Sequence, residues 1–270
     1  MKLKEFEKRF ELLKPHIREA GERVIQIRNS SNFEVHIKPD QSPVTNADFW
    51  SNDYFTDLIQ KYFPGEDLIG EESEDKSFQK GSEIIWFIDP IDGTKHFVNG
   101  SDHFFILIGL CIEGIPEFGI IYKPITKEFV YGYGNGTVRH ITKTDISREL
   151  KASKEFPDDA TLIMKRVDEQ LKSELNDRFG VKRHKYINDK IEMTGPLFGE
   201  SNGYITMRRT AYWDLCAPAA IMRAAGYELG STSNGDPILF NQNEYETDYY
   251  FSLPPKTPKD VKKLLFHYLS

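Results

Sequence analysis

The segment WFIDPIDGT, Trp86 to Thr94, sets two carboxylates three positions apart around a proline and ahead of a glycine. An apolar strand over Ile84–Ile88 would carry Asp89 to a sheet edge. Pro90 would stop that strand, and Asp92-Gly93-Thr94 would turn tightly. Acids so spaced on a stiff loop can share a pair of metal ions without collapsing onto each other, and the Ile91 carbonyl between them is a third oxygen donor. Such donors suit a hard cation, Mg²⁺ above all. Gly93 and Thr94 then offer backbone N–H groups to a phosphate oxygen. Either aspartate alone reads more simply as a turn residue ending a strand; the hexapeptide as a unit does not.

Three further segments carry candidate chemistry. In Gly70-Glu71-Glu72-Ser73, adjacent acids at the end of the Asp67-Leu68-Ile69 run point to opposite faces, so one enters a given site. Glu71 is the candidate, with Glu72 in support or in solvent. In Trp213-Asp214-Leu215-Cys216-Ala217-Pro218, Asp214 stands where a small-residue helix over Asp214–Ala225 would begin. A helix N-cap, worth about 1 kcal/mol, would by itself account for it. In SPVTNAD, Thr45 and Asp48 have capping-box spacing; the functional alternative is that Asp48 orients the Thr94 hydroxyl beside an attacking water. The seven histidines show no HExxH or paired ligand spacing, so zinc is unsupported. Gly132, Gly134 and Gly136 read as strand and turn residues.

The elements that must position these residues follow from periodicity. Leu3, Phe6, Phe10, Leu13, Ile17, Ala20, Val24 and Ile27 recur at steps of three and four, predicting an amphipathic helix bent or split at Pro15. A polar loop follows over Asn29–Gln41, with a short ribbon at Phe33–Ile37. A second helix should start at Thr45, bury Phe49, Phe55, Leu58 and Ile59, and end at Pro64-Gly65. The runs FFILIGLCI, FGIIYKP and FVYGYG predict an antiparallel meander. Strands at Thr161–Met164 and Tyr204–Met207, a helix over Val167–Phe179 closed by Gly180, a turn at Asn234-Gly235 and a C-terminal helix opened by Thr257-Pro258 complete the pattern. The polar, strand-poor stretch Lys143–Asp159 predicts a boundary near residue 150. It separates an N-terminal half (1–150) carrying the GEE and DPIDGT motifs from a C-terminal half (151–270) carrying the Trp-Asp motif.

Apolar residues make up 39% of the 270, enough for a real core. A net charge of −7 without a basic block argues against nucleic-acid polymers. A small anionic substrate is still compatible, because bound cations supply positive charge. No run of about 18 apolar residues predicts a membrane span. Two cysteines far apart, Cys111 and Cys216, and a charged opening segment fit a reducing cytoplasm.

Together, GEES, DPIDGTKHF and WDLCAPAAIMRAAG resemble the two signatures of the lithium-sensitive, metal-dependent phosphatase family. That family includes inositol monophosphatases, fructose-1,6-bisphosphatases and 3′(2′),5′-bisphosphate nucleotidases, and the resemblance runs over the whole chain in motif order and spacing. It implies a layered αβαβα sandwich with mostly antiparallel sheets. It implies two Mg²⁺ ions, or three, held by Glu71, Asp89, the Ile91 carbonyl, Asp92 and Asp214. It implies water activation by Thr94 and Asp48 beside Glu71, and substrate contacts from Asp92, Gly93, Thr94 and Asp214. SPVTNAD, Lys95 after DGT, and WDLCAP resemble the nucleotidases, which implies adenosine 3′,5′-bisphosphate as substrate. The chain also departs from the pattern: Tyr227 follows Ala225-Gly226 where a second glycine is usual, and Asn188-Asp189-Lys190 stands for a Gly-Ser-Ser segment. Met207 occupies the position of the substrate-binding Glu of inositol enzymes. An inositol or broad sugar phosphatase is the alternative reading, and a catalytically silent metal- or nucleotide-binding relative the second. The implied partner is a small phosphorylated metabolite, met by a monomer or homodimer.

Overall fold

A computed structural model of the chain describes residues 1–74, 76, 82–134, 136–184, 191–231, 237–240 and 245–269. Helix α1 (Leu3–Arg28) runs unbroken through Pro15, so it is not split there. Its stripe of Phe6, Phe10, Leu13, Ile17, Ala20 and Val24 is buried, and that packing outweighs the one backbone hydrogen bond a proline removes. Leu3, on the first turn, stays exposed. An antiparallel ribbon of β1 (Val35–Ile37) and β2 (Pro43–Thr45) leads into α2 (Asn46–Tyr62). The buried face of α2 is set by Ala47, Ser51, Phe55, Leu58 and Ile59. Phe49 was expected there, but it lies on the opposite side of the turn and is 42% exposed.

Seven strands form the larger sheet in chain order: β3 (Asp67–Gly70), β4 (Ile84–Asp92), β5 (Phe105–Ile112), β6 (Ile115–Lys123), β7 (Glu128–Tyr133), β8 (Thr137–Ile141) and β9 (Ser147–Glu149). Only the β3–β4 pair is parallel; the remainder is the predicted meander. The short helix α3 (Thr94–Val98) joins β4 to β5. Next come β10 (Thr161–Lys165), α4 (Glu169–Phe179), β11 (Lys182–His184), a 3₁₀ segment (Glu192–Phe198), β12 (Gly203–Thr206), β13 (Thr210–Ala211) and α5 (Tyr212–Ala224). The chain closes with β14 (Glu228–Ser231), β15 (Glu246–Thr247), β16 (Tyr250–Leu253) and α6 (Lys259–Leu269). The second sheet has the order β11-β10-β12-β16-β14, with β10 parallel to both its neighbours. Helix α4 begins two residues later than predicted, because the Asp168 side chain caps it at the Gln170 N–H. The predicted turn at Asn234-Gly235 and the segment Asn188-Asp189-Lys190 lie outside the described residues.

Alternation along the strands builds the layers. On β4, Trp86 and Ile88 pack with α1 and α2, while Ile85 and Phe87 face α5. On β10, Ile163 joins the α5 core, while Leu162 and Met164 join α4 and α6. The result is α1 and α2, sheet, α5, sheet, α4 and α6: the αβαβα sandwich. No helix among the described residues is long and apolar enough to cross a membrane.

Helix α5 lies almost directly on the larger sheet. Gly109, Gly119 and Gly132 are paired in register across β5, β6 and β7, forming a groove without side chains. A Cβ on Gly119 would stand 2.2 Å from the Ala217 carbonyl oxygen, and one on Gly109 2.5 Å from Cys216 Sγ. Cys111 and Cys216 meet here as free thiols, their sulfurs 3.3 Å apart. Because Gly119 faces backbone, Gly119→Ala cannot be absorbed by a rotamer change. It should destabilise the fold by about 1–3 kcal/mol, read from the midpoint of urea denaturation; an unchanged midpoint would show that the groove is not tightly filled.

Candidate active site

Strand β4 does not stop at Asp89-Pro90, as the sequence predicts, but continues to Asp92. Asp89 pairs with Leu107 and Asp92 with Phe105, so β4 carries one extra residue there, a bulge. Pro90 falls inside it, where a missing N–H breaks no ladder bond. The Ile91 N–H donates instead to Asp89 Oδ1 at 2.9 Å. Gly93 follows at φ +88°, and a Cβ there would lie 2.8 Å from the His103 carbonyl, so glycine is required. Thr94 then opens α3.

Glu71 comes just after β3, and its N–H donates to the Ile88 carbonyl at 3.0 Å, which ties it beside Asp89. Asp214 is not a helix N-cap. Helix α5 begins at Tyr212 after an Ala211 cap with no side-chain bond, and the Tyr212 N–H donates to the Tyr245 carbonyl at 2.8 Å. The Asp214 carboxylate, on the third helical residue, is thereby left to the interior. One oxygen each from Glu71, Asp89 and Asp214 lie within 4.8 Å of one another. Asp92 sits outside that trio but close enough for its charge to act on both Asp89 and Asp214.

Asp48 serves two partners. Its Oδ2 accepts the Thr45 N–H at 2.9 Å and the Thr45 hydroxyl, completing the predicted capping box. Its Oδ1 lies 3.2 Å from Thr94 Oγ1, which is also 3.0 Å from the Ile91 carbonyl, so one hydroxyl proton has two acceptors. Glu72 is not in solvent: its side chain is only 7% exposed and pairs with Lys38. The Lys38 ammonium also lies 2.8 Å from Glu71 Oε1. Burial opposes its charge, yet the two glutamates hold its pKa above the usual range.

The acids strain against each other. Burial, then the charges of Glu71, Asp92 and Asp214, pushes Asp89 well above the usual carboxylate range. Burial and Glu71 push Asp92 up to about 6, opposed by Lys165 and Arg208. Burial, Asp92 and Glu71 push Asp214 up to about 8, and burial takes Asp48 to about 6. Crowded oxygen donors with too little positive charge among them fit a hard divalent cation.

A cleft of about 330 Å³ is lined by Asp92, Gly93, Asp214, His96, His103, Lys165, Glu192 and Arg208, among others. Sequence reasoning missed Lys38, Lys165, Glu192 and Arg208, which belong to no motif. The only signal for Lys165 and Arg208 was their position at the ends of predicted strands.

The chain matches the inositol monophosphatase family model over residues 7–254. It is 32% identical over 238 residues to an inositol-1-monophosphatase of Bacillus subtilis, covering 86% of this chain and 88% of that protein. It is 28% identical over 222 residues to the 3′(2′),5′-bisphosphate nucleotidase CysQ of Haemophilus influenzae, covering 78% and 79%. Among solved structures, an IMPase of Thermotoga maritima superposes with a TM-score of 0.73 at 20% identity over 97% of this chain and 98% of that one.

The raised carboxyls give a sign. A carboxyl whose pKa rises on folding contributes its stability at low pH and loses it as pH climbs through the folded value. The window therefore runs from about 4 to about 6 for Asp92 and to about 8 for Asp214. Chelator-treated protein should lose thermal stability across that window, and added Mg²⁺ should restore more at its upper end than at its lower. Asp214→Asn should flatten the fall. A melting temperature that rises across the window in chelated wild type, or an unchanged slope in Asp214→Asn, would contradict this electrostatic picture.

Proposed function

The chain belongs to the inositol monophosphatase family, a family of metal-dependent phosphatases, and from that premise we propose that it is a Mg²⁺-dependent phosphomonoesterase with adenosine 3′,5′-bisphosphate as preferred substrate, yielding AMP and phosphate. The observation that carries the reaction type is the approach of Glu71, Asp89 and Asp214 from three separate elements, beside the Thr94–Asp48 pair. Glu71, Asp89, Asp92, Asp214 and the Ile91 carbonyl are the groups that would hold two ions. When bound there, Mg²⁺ supplies Lewis-acid chemistry, acidifying water and offsetting charge on phosphoryl and leaving oxygens.

The chain's own residues do the positioning. The Thr94 hydroxyl, donating to Asp48 Oδ1, presents its lone pairs to the attacking water and fixes its direction. As the water oxygen bonds to phosphorus, its proton passes to Thr94 Oγ1 while the threonine proton moves to Asp48. Thr45 keeps that carboxylate oriented through its other oxygen. Glu71 flanks the water. Backbone N–H groups of Gly93 and Thr94 hold the phosphate oxygens beside Asp92, with Asp214 at the leaving-group side. The bond from phosphorus to the ester oxygen breaks, and that oxygen takes a proton from solvent and leaves as an alcohol, while Asp48 returns its proton to solvent.

Lys95 after DGT, the WDLCAP segment and the apolar Met207 support the nucleotide substrate. The 32% identity to an inositol-1-monophosphatase favours inositol 1-phosphate as the second reading. Phosphate release with Mg²⁺ should be faster from adenosine 3′,5′-bisphosphate; faster release from inositol 1-phosphate would replace the first reading with the second. Thr94→Ala and Asp48→Asn should lower kcat by about 10²- to 10⁴-fold while still binding Mg²⁺ by calorimetry. Asp89→Asn should lose both Mg²⁺ binding and turnover with an unchanged circular dichroism spectrum. Near-normal activity in Asp89→Asn would remove the metal assignment.

A further inference from the structure

We infer that Lys165 and Arg208 form an anion-binding end of the active-site cleft, which selects phosphomonoesters carrying a second anionic group. The inference rests on the cleft being the substrate site of the phosphatase proposed above. Strands β10 and β12 run parallel and finish together: Lys165 is in register with Thr206, and the Met207 N–H donates to the Lys165 carbonyl at 3.1 Å. The Arg208 N–H is held by the buried Thr206 hydroxyl at 3.2 Å, fixing where the arginine leaves the strand. Backbone geometry, and not side-chain chance, therefore puts both cations on one wall.

The cleft is lined by groups of both signs: Asp92 and Asp214, which would hold cations around the scissile phosphate, and the cations Lys165 and Arg208. Lys165 lies 2.7 Å from Glu192, so among the described lining residues the exposed Arg208 is the positive charge left over from that pairing. Phe105, Tyr250 and Pro218 line the same cleft and can cover the body of a substrate. A neutral polyol would meet the guanidinium only through hydroxyls, whereas a phosphate or carboxylate gives it charge-assisted, paired hydrogen bonds.

The test uses Mg²⁺-loaded full-length protein and two matched pairs: adenosine 3′,5′-bisphosphate against 3′-AMP, and 3-phosphoglycerate against glycerol 3-phosphate. Within each pair the reading is the ratio of kcat/KM. In Arg208→Ala the ratio should fall about tenfold through KM for the doubly anionic member, the effect of one lost charge-assisted hydrogen bond. Arg208→Lys should recover part of it, and Lys165→Ala should act in the same direction. A fall confined to the nucleotide pair assigns the site to phosphate; a fall in both assigns it to anions generally. Ratios unchanged in both pairs, with both members slowed alike, would overturn the inference. Inositol 1-phosphate outrunning adenosine 3′,5′-bisphosphate would overturn the nucleotidase reading alone, because the ratio is read within each pair. No release from any of these esters would overturn both.

Discussion

Mutual repulsion among Glu71, Asp89, Asp92 and Asp214 is the constraint around which this molecule is built. Carboxylates taken from water and set this near each other are unfavourable unless a cation joins them or protons neutralise them. The raised pKa values of Asp92 and Asp214, about 6 and about 8, express that cost. Lys38 sets an ammonium 2.8 Å from Glu71 at the cluster's rim, and Glu72 shares it. Around such a centre a divalent ion would both relieve the charge and supply the reactivity.

The scaffold has to hold the cluster against its own charge, and it does so with backbone. The β4 bulge turns a strand end into a platform for Asp89, the Ile91 carbonyl and Asp92. The Glu71 N–H is hydrogen-bonded to the same strand. Helix α5 brings Asp214 from more than a hundred residues away, and the groove of Gly109, Gly119 and Gly132 lets it sit at backbone distance from the sheet. Side chains on those strands would lift α5 and its aspartate away from the partners. Stability in the interior and charge at the site are therefore coupled through one helix.

Much of this was legible in the residues. The apolar runs of β4 to β7, the helical stripe of α1 and the Thr45–Asp48 capping box all reflect local physics, and local physics is what a sequence displays. The shared motifs placed Glu71, Asp89 and Asp214 before any geometry was known. Misread features were those decided by tertiary contact. Pro90 did not end β4, because a bulge spared it the lost hydrogen bond. Pro15 did not split α1, because the core held both sides. Asp214 was not an N-cap, because β13 and the Tyr245 carbonyl start α5 earlier. Lys165 and Arg208 showed only as residues following predicted strands: their meeting depends on the parallel pairing of β10 and β12, which links residues some forty positions apart.

Divalent ions bound among these four acids would show in crystals grown with Mn²⁺ and measured for anomalous scattering. Peaks bounded by Glu71, Asp89 and Asp214, with Asp92 adjoining, are expected, and they should vanish in Asp89→Asn. Peaks elsewhere on the surface, or none at this cluster with Mn²⁺ in excess, would contradict this placement of the ions.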